Sequence, residues 1–135
     1  MAKISSSIKT ENYKIEIISE TGNKLIADEP IELGGKDLGF SPKELLASAL
    51  AACTSATLKM YADRKQWLLE EVKINVELEF DAAVNKTNVK RKLEFIGDLD
   101  QVQKDRLLAI ANLCPVHKML SNEFNIQSEV GKIAD

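Results

Sequence analysis

The chain has 135 residues, of which 44% are hydrophobic and 29% are charged, and its formal net charge is −3. This length predicts a single domain, residues 1–135, that buries a core without needing a disulfide or a metal. The small acidic excess, 21 acidic against 18 basic residues, argues against a nucleic-acid partner, because such proteins neutralise phosphates with a basic surface.

The hydropathy of the chain favours a water-soluble protein. No apolar run reaches the roughly 18 residues that a membrane-spanning helix requires. The amino-terminal residues also lack the apolar core of a secretion signal. We therefore expect a cytoplasmic protein with no membrane partner.

Residues that bind metals or act as nucleophiles are few. The chain has one histidine, His117, and two cysteines, Cys53 and Cys114. Because a structural zinc site takes four Cys or His ligands, we expect no metal. The glycines match neither a phosphate-binding loop nor a dinucleotide fingerprint, so we expect no cofactor. In a reducing compartment the cysteines are free thiols, a redox pair or small buried side chains, and composition leaves these alternatives open.

The first part of the chain predicts a β-hairpin followed by a loop. Apolar side chains at Tyr13, Ile15 and Ile17 alternate with charged ones, which is typical of a strand. A turn at residues 21–23 predicts a return strand over residues 24–28. The glycine-rich stretch 34–39 is expected to be flexible, and it either connects to the next element or forms a wall of a substrate site.

A long helix is predicted from Pro42 to Gln66. Ser41 is its expected N-cap, Pro42 suits the first helical position, and Glu44 completes a capping box. The segment from residue 45 to residue 53 is apolar almost all round. A helix that is apolar on every face is expected to be buried on every face, here against a sheet or a second subunit.

The remainder of the chain predicts two more strands and two more helices. Strict alternation over residues 72–80, a polar loop and a similar pattern over 89–95 indicate an antiparallel hairpin. An Asp-capped helix follows, the Cys114-Pro115 step ends it, and a short helix begins at Pro115. Residues 124–128 are expected to form a closing strand. The fold class is therefore α+β with antiparallel sheets.

The two cysteines differ in their predicted surroundings. Cys114 lies at the start of the short helix, where backbone N–H groups and the helix dipole favour a thiolate; the alternative is a helix break with a packed thiol. Cys53 lies well inside the long helix, so it is a core residue unless the fold brings a cation or a donor to it. Glu44 precedes Cys53 by roughly 13 Å on the opposite helix face, so it acts as a cap or serves a second subunit's site.

Two segments carry a resemblance to a known family. They are GGKDLGFSPKELLASALAACTSATLKMYADRKQW and LCPVHKML. With the strand pattern between them, the chain resembles the OsmC/Ohr proteins (osmotically inducible protein C and the organic hydroperoxide resistance proteins), and it is most similar to the general OsmC-like branch. The resemblance implies an OsmC-like fold, with antiparallel sheets around a long central helix, and an intertwined homodimer.

The same resemblance implies a chemistry for the cysteines. The cysteine matching Cys53 is the peroxidatic thiolate and the one matching Cys114 resolves the sulfenic acid. Organic hydroperoxides are the implied substrates, and lipoyl groups or other dithiols the implied reductants. Family members activate the thiolate with an amino-terminal arginine, but this chain has no arginine before Arg64. Lys43 and Glu44 are the candidate activating residues instead.

The sequence therefore supports a primary hypothesis and two rivals. The first is a thiol-dependent peroxidase that reduces organic hydroperoxides through Cys53 and Cys114. The second is a redox-sensing or small-molecule-binding protein of the same fold with little turnover, which the missing arginine favours. The third is a structural dimer whose buried thiols are inert.

Overall fold

Five strands and three α-helices are present in a computed structural model, which describes residues 1–134. In chain order they are β1 (Ile4–Ile8), β2 (Ile15–Ser19), β3 (Lys24–Ala27), α1 (Pro42–Lys65), β4 (Leu68–Asp81), β5 (Lys86–Asp98), α2 (Gln101–Ala111) and α3 (Pro115–Leu120). The strands form a three-stranded sheet, β1-β2-β3, and a two-stranded sheet, β4-β5, both antiparallel. This is the α+β class expected from the sequence.

Two ends of the chain differ from expectation. Strand β1 was not predicted, because its sequence ISSSI has no alternating pattern. In the structure every side chain of this strand is exposed. The strand expected over residues 124–128 is absent, and Phe124 and Ile126 there are 62% and 81% exposed. That expectation was wrong because an alternating pattern needs a neighbouring strand edge to pair with.

The described residues pack as two units. Unit 1 contains residues 1–52 and 74–93, and unit 2 contains residues 53–73 and 94–134. Helix α1 and the β4-β5 hairpin contribute residues to both units. The expectation of a single domain stays a prediction.

In unit 1, the register of the three-stranded sheet is antiparallel throughout. Ile15 pairs with Ile8 on one side and with Ala27 on the other. Along β2, Ile15 and Ile17 are half-buried while Glu16 and Ile18 are exposed, so the predicted alternation is confirmed for residues 15–17. It does not extend to Tyr13, which precedes the strand and is exposed.

Asp28 organises the loop between β3 and α1. Its side chain is buried and accepts four backbone hydrogen bonds of 2.8–3.2 Å, from the N–H groups of Tyr13, Glu29, Lys36 and Leu38. Burial raises the pKa of Asp28, but the four N–H groups lower it by more, so it lies below the ordinary value of 3.8. A carboxylate therefore ties this loop to Tyr13, two residues before β2.

The glycine-rich loop lies close against the backbone of its neighbours. A side chain at Gly35 would collide with the carbonyl oxygen of Glu29 and approach Asp28 Oδ1 to 2.8 Å. The Asp28 N–H donates to the Phe40 carbonyl at 3.1 Å, beside a parallel bridge between Ala27 and Phe40. The sequence predicted that this loop either connects to the next element or forms a wall of a substrate site. Its backbone connects β3 to helix α1.

Helix α1 begins as predicted. The Ser41 N–H donates to Glu44 Oε1 at 2.8 Å, and the Glu44 N–H donates to Ser41 Oγ at 3.2 Å. These two bonds are the predicted capping box. At the other end, Gln66 adopts a left-handed φ of 59° and the Trp67 N–H reaches the Ala62 carbonyl at 2.9 Å.

Helix α1 is buried along one stripe only. Every fourth residue from Leu50 to Ala62 is buried: Leu50, Thr54, Leu58 and Ala62. Leu46 and Met60 are 49% and 64% exposed, so the expected burial on every face is not found within one chain. By length and composition the helix also meets the criterion for a membrane span, contrary to the sequence expectation, although core helices of soluble proteins pass the same test.

Unit 2 has an apolar core to which three elements and the N-cap of α3 contribute. Its fully or nearly fully buried residues are Thr54, Leu58 and Ala62 of α1, Leu69 of β4, Leu107, Ile110 and Ala111 of α2, and Cys114. Helix α2 begins with a capping box between Asp100 and Gln103. On the surface, Arg106 Nε donates to the Tyr61 hydroxyl at 3.0 Å, and Tyr61 meets Trp67 edge to face at 5.5 Å.

The Asp28 network predicts a pH-dependent stability. Because the folded-state pKa lies below the ordinary value of 3.8, Asp28 stabilises the fold above about pH 4 and loses this effect as the pH falls through the lowered pKa. We expect Asp28→Asn to lower the free energy of unfolding at pH 7, because the amide replaces an acceptor oxygen with a donor.

Denaturant unfolding at pH 7 and pH 3 would measure this effect. The difference between wild type and Asp28→Asn should shrink at pH 3. Asp37→Asn is the matched control, since Asp37 is an exposed residue of the same loop, and it should leave stability at pH 7 unchanged. A pH-independent difference, or equal losses in both variants, would contradict the assigned role of Asp28.

Candidate functional site

Cys114 lies in the core of unit 2 at the start of helix α3. Its side chain has no exposed surface, and its residue is the N-cap of the helix, as predicted. The Sγ atom accepts a hydrogen bond from the His117 N–H at 3.4 Å. A thiol in this position combines burial, which disfavours the thiolate, with an N–H donor, which favours it.

Thr54 makes the second contact to this thiol. Its Oγ1 lies 3.6 Å from Cys114 Sγ, and both side chains are fully buried. A hydroxyl is both donor and acceptor, so it accepts from the thiol and donates to the thiolate. The contact joins residues 60 positions apart in sequence.

Cys53 lies next to Thr54 on helix α1 and also belongs to unit 2. It is half-buried, and neither cysteine is in a disulfide. Thr54, the residue after Cys53, thus contacts the sulfur of Cys114. The periodicity of the sequence could not have shown this proximity, because it depends on how α1 packs in the core.

The two candidate activating residues, Lys43 and Glu44, lie in unit 1. Glu44 makes the capping box, and the backbone N–H and side chain of Ser41 hold the pKa of its carboxyl below its usual range. Lys43 is exposed, and within residues 1–134 it makes no ion pair. The capping role predicted for Glu44 is confirmed.

An open depression in unit 1 contains Glu44 together with the end of the glycine-rich loop. Its lining residues are Asp37, Leu38, Gly39, Phe40 and Glu44. Leu38 and Phe40 are 52% and 54% exposed. Two apolar side chains, Leu38 and Phe40, thus lie beside two carboxylates, Asp37 and Glu44.

Thr54, which contacts Cys114, is the candidate site residue that sequence reasoning missed. A signal was present, since Thr54 is the polar member of the buried stripe that includes Leu50 and Leu58. A buried hydroxyl needs a hydrogen-bond partner. The pattern alone could not name that partner as Cys114. In the described part of the chain no three His, Cys, Asp or Glu side chains group as a metal site would require.

The burial of the two thiols predicts different reactivities. We expect iodoacetamide to alkylate Cys53 at least about tenfold faster than Cys114, because a fully buried thiol reacts only after local opening. Peptide mass spectrometry of native protein sampled over time would measure both rates. In denaturant the two rates should converge, and faster labelling of Cys114 in the native protein would contradict the prediction.

Solved structures with the same fold include three from bacteria. An OsmC-like protein from Mycoplasma pneumoniae is 21% identical, with a TM-score of 0.75, and the match covers 90% of this chain and 87% of that one. An organic hydroperoxide resistance protein OsmC from Legionella pneumophila is 25% identical, with a TM-score of 0.70 and coverages of 89% and 88%. The organic hydroperoxide resistance protein OhrB of Bacillus subtilis is 23% identical, with a TM-score of 0.61 and coverages of 88% and 89%.

Sequence comparison identifies the family directly. A search of curated proteins finds no match. The family model described as OsmC-like protein matches residues 34–129, a range that includes the glycine-rich loop, all of α1 and both cysteines. The chain belongs to the OsmC-like protein family.

Proposed function

We propose that this protein is a thiol-dependent peroxidase that reduces organic hydroperoxides, with Cys53 as the peroxidatic and Cys114 as the resolving cysteine. Family membership and structural neighbours named for hydroperoxide resistance support a role in redox or peroxide-stress chemistry. The observation that carries the finer proposal is the contact of Thr54, the neighbour of Cys53, with the Cys114 thiol at 3.6 Å. Both cysteines belong to unit 2.

The proposed reaction has three balanced steps. The Cys53 thiolate attacks the distal oxygen of the hydroperoxide, the O–O bond breaks, and the alkoxide leaves and takes a proton to become the alcohol. The Cys114 thiolate then attacks the sulfenic sulfur of Cys53, forming the disulfide and releasing hydroxide, which is protonated to water. A dithiol, such as a dihydrolipoyl group, reduces the disulfide and is itself oxidised to a disulfide.

A homodimer is the second part of the proposal. Leu46 and Met60 of helix α1 are 49% and 64% exposed. The buried stripe of the same helix, by contrast, packs in the core of unit 2 from Thr54 onward. Contiguous exposed apolar patches mark interaction sites, and we propose that these two side chains belong to one. The family resemblance implies that a second copy of this chain covers these side chains. We also propose a cytoplasmic location.

Glu44 and Lys43 enter the proposal through the partner chain. Glu44 lines a depression with Asp37, Leu38 and Phe40, and the two apolar side chains suit the alkyl part of a hydroperoxide. In a dimer this depression would serve the partner's thiol, with Lys43 as the nearby cation. A lysine supplies a point charge rather than the planar fork of an arginine, so a modest rate constant is expected.

Titration with cumene hydroperoxide tests the roles of the cysteines. With one equivalent, wild type should lose both of its two thiols as an intramolecular disulfide. Cys114→Ser should lose one thiol and form a sulfenic acid that dimedone traps, and Cys53→Ser should lose none. Thiol loss in Cys53→Ser at the wild-type rate would overturn the assignment.

The same titration tests the activating residues. Glu44→Gln keeps the capping box, since glutamine also accepts from the Ser41 N–H, so any slower thiol oxidation reports the lost charge rather than lost stability. Lys43→Gln removes the proposed cation. Equal rates in both variants and wild type would exclude them from activation.

Sedimentation velocity without detergent tests the dimer. The protein should sediment at twice the mass of one chain, and Leu46→Glu with Met60→Glu should shift it to a monomer, because two charges would be buried in the interface. Lys73→Glu, at an exposed position of β4, is the control and should stay dimeric. A wild-type monomer, or recovery only with membranes, would contradict this part of the proposal.

A redox sensor of the same fold is the second candidate function. The observation that favours it is the absence of any arginine before Arg64, which leaves the thiolate without the family's activating group. A sensor would be oxidised once and then recycled slowly by dihydrolipoamide. Steady-state turnover with both substrates separates the two functions.

A further inference from the structure

We infer that Cys114 is the leaving group when the Cys53–Cys114 disulfide is reduced, and that Thr54 is the positioning residue that stabilises the departing sulfur. This inference rests on the proposed function, because it requires the disulfide to form. It adds a direction to the reduction, with the external thiol attacking Cys53, and a role for a residue outside the cysteine pair.

The contacts of Cys114 favour its departure. When the disulfide bond breaks heterolytically, one sulfur keeps the electron pair and leaves as a thiolate. The His117 N–H, 3.4 Å from Cys114 Sγ, and the Thr54 hydroxyl, 3.6 Å from it, are both placed to donate to that charge. A buried anion without donors would be costly, so these two groups make the interior position tolerable for a thiolate.

Access favours attack on the other sulfur. Cys114 and Thr54 have no exposed surface, whereas Cys53 is half-buried. A thiolate must approach the sulfur that it attacks in line with the S–S bond, and leaving is faster for the sulfur whose thiolate is better stabilised. Burial and hydrogen bonding therefore select the same direction.

The proposed step balances. The attacking thiolate, RS⁻, forms a bond to Cys53 Sγ, the Cys53–Cys114 bond breaks, and Cys114 departs with the electron pair. A second thiol of the reductant then attacks the reductant's sulfur in the mixed disulfide, which releases Cys53 as a thiolate. The reductant is oxidised by two electrons and the protein disulfide is reduced by two.

Thr54 has two informative substitutions. Thr54→Val keeps the branched shape of the side chain and removes the hydroxyl, so it separates hydrogen bonding from packing. Thr54→Ser keeps the hydroxyl and removes a methyl group. We expect the valine variant to slow disulfide reduction by about three- to tenfold and the serine variant to restore most of the rate.

The experiment starts from protein oxidised by diamide, which forms the disulfide without any peroxide. Oxidised wild type is treated with glutathione, a monothiol, and quenched at short times with iodoacetamide in denaturant, where the buried thiol is also alkylated. Peptide mass spectrometry should find glutathione on Cys53 and the alkyl group on Cys114. Glutathione on Cys114 would overturn the inference.

The second measurement is the equilibrium of the disulfide with glutathione. Loss of the Thr54 hydroxyl removes a contact of the reduced form, so Thr54→Val should favour the disulfide by up to about tenfold, or about 30 mV, and Thr54→Ser should return towards wild type. Equal rates and equilibria in all three proteins would overturn the role of Thr54.

The two proposals fail in different ways. If diamide forms the disulfide but hydroperoxide does not, the peroxidase proposal fails and the direction of reduction is still measured. If diamide forms no Cys53–Cys114 disulfide, both proposals are wrong.

Discussion

The Cys114 thiol lies in the interior of unit 2 against the Thr54 hydroxyl, and the chemistry proposed for the protein depends on this contact. It joins two residues separated by 60 positions, so the packing of α1 against the elements that follow it must overcome the entropy of closing a long loop. The buried residues of α1, β4 and α2 supply that packing. Without it, the residue that follows Cys53 would not contact Cys114.

The interior position gives Cys114 properties that its local sequence does not. At a helix start alone, it would be the more acidic and the more reactive thiol. Full burial removes it from solvent and leaves Cys53 as the sulfur that outside molecules reach first. The N–H of His117 and the hydroxyl of Thr54 then contact a thiol that has no exposed surface.

Unit 1 is organised by a different kind of interaction. The Asp28 carboxylate gathers four N–H groups and shapes the loop that leads to the capping box at Ser41 and Glu44. This arrangement presents Leu38, Phe40 and Glu44 around one depression. The backbone of the loop thus connects β3 to α1. Its exposed side chains line the depression that the proposed role of Glu44 involves.

The sequence alone determined the features that depend on neighbours along the chain. The capping box at Ser41, the start of α3 at Cys114 and the alternation in β2 follow from residues a few positions apart, because helix ends and strand faces are local. It also carried the resemblance to the OsmC/Ohr proteins. Only the tertiary structure decided that Thr54 meets Cys114, that α1 is buried along a single stripe, and that residues 124–128 form no strand, because each depends on which distant surface lies opposite, and periodicity does not encode that.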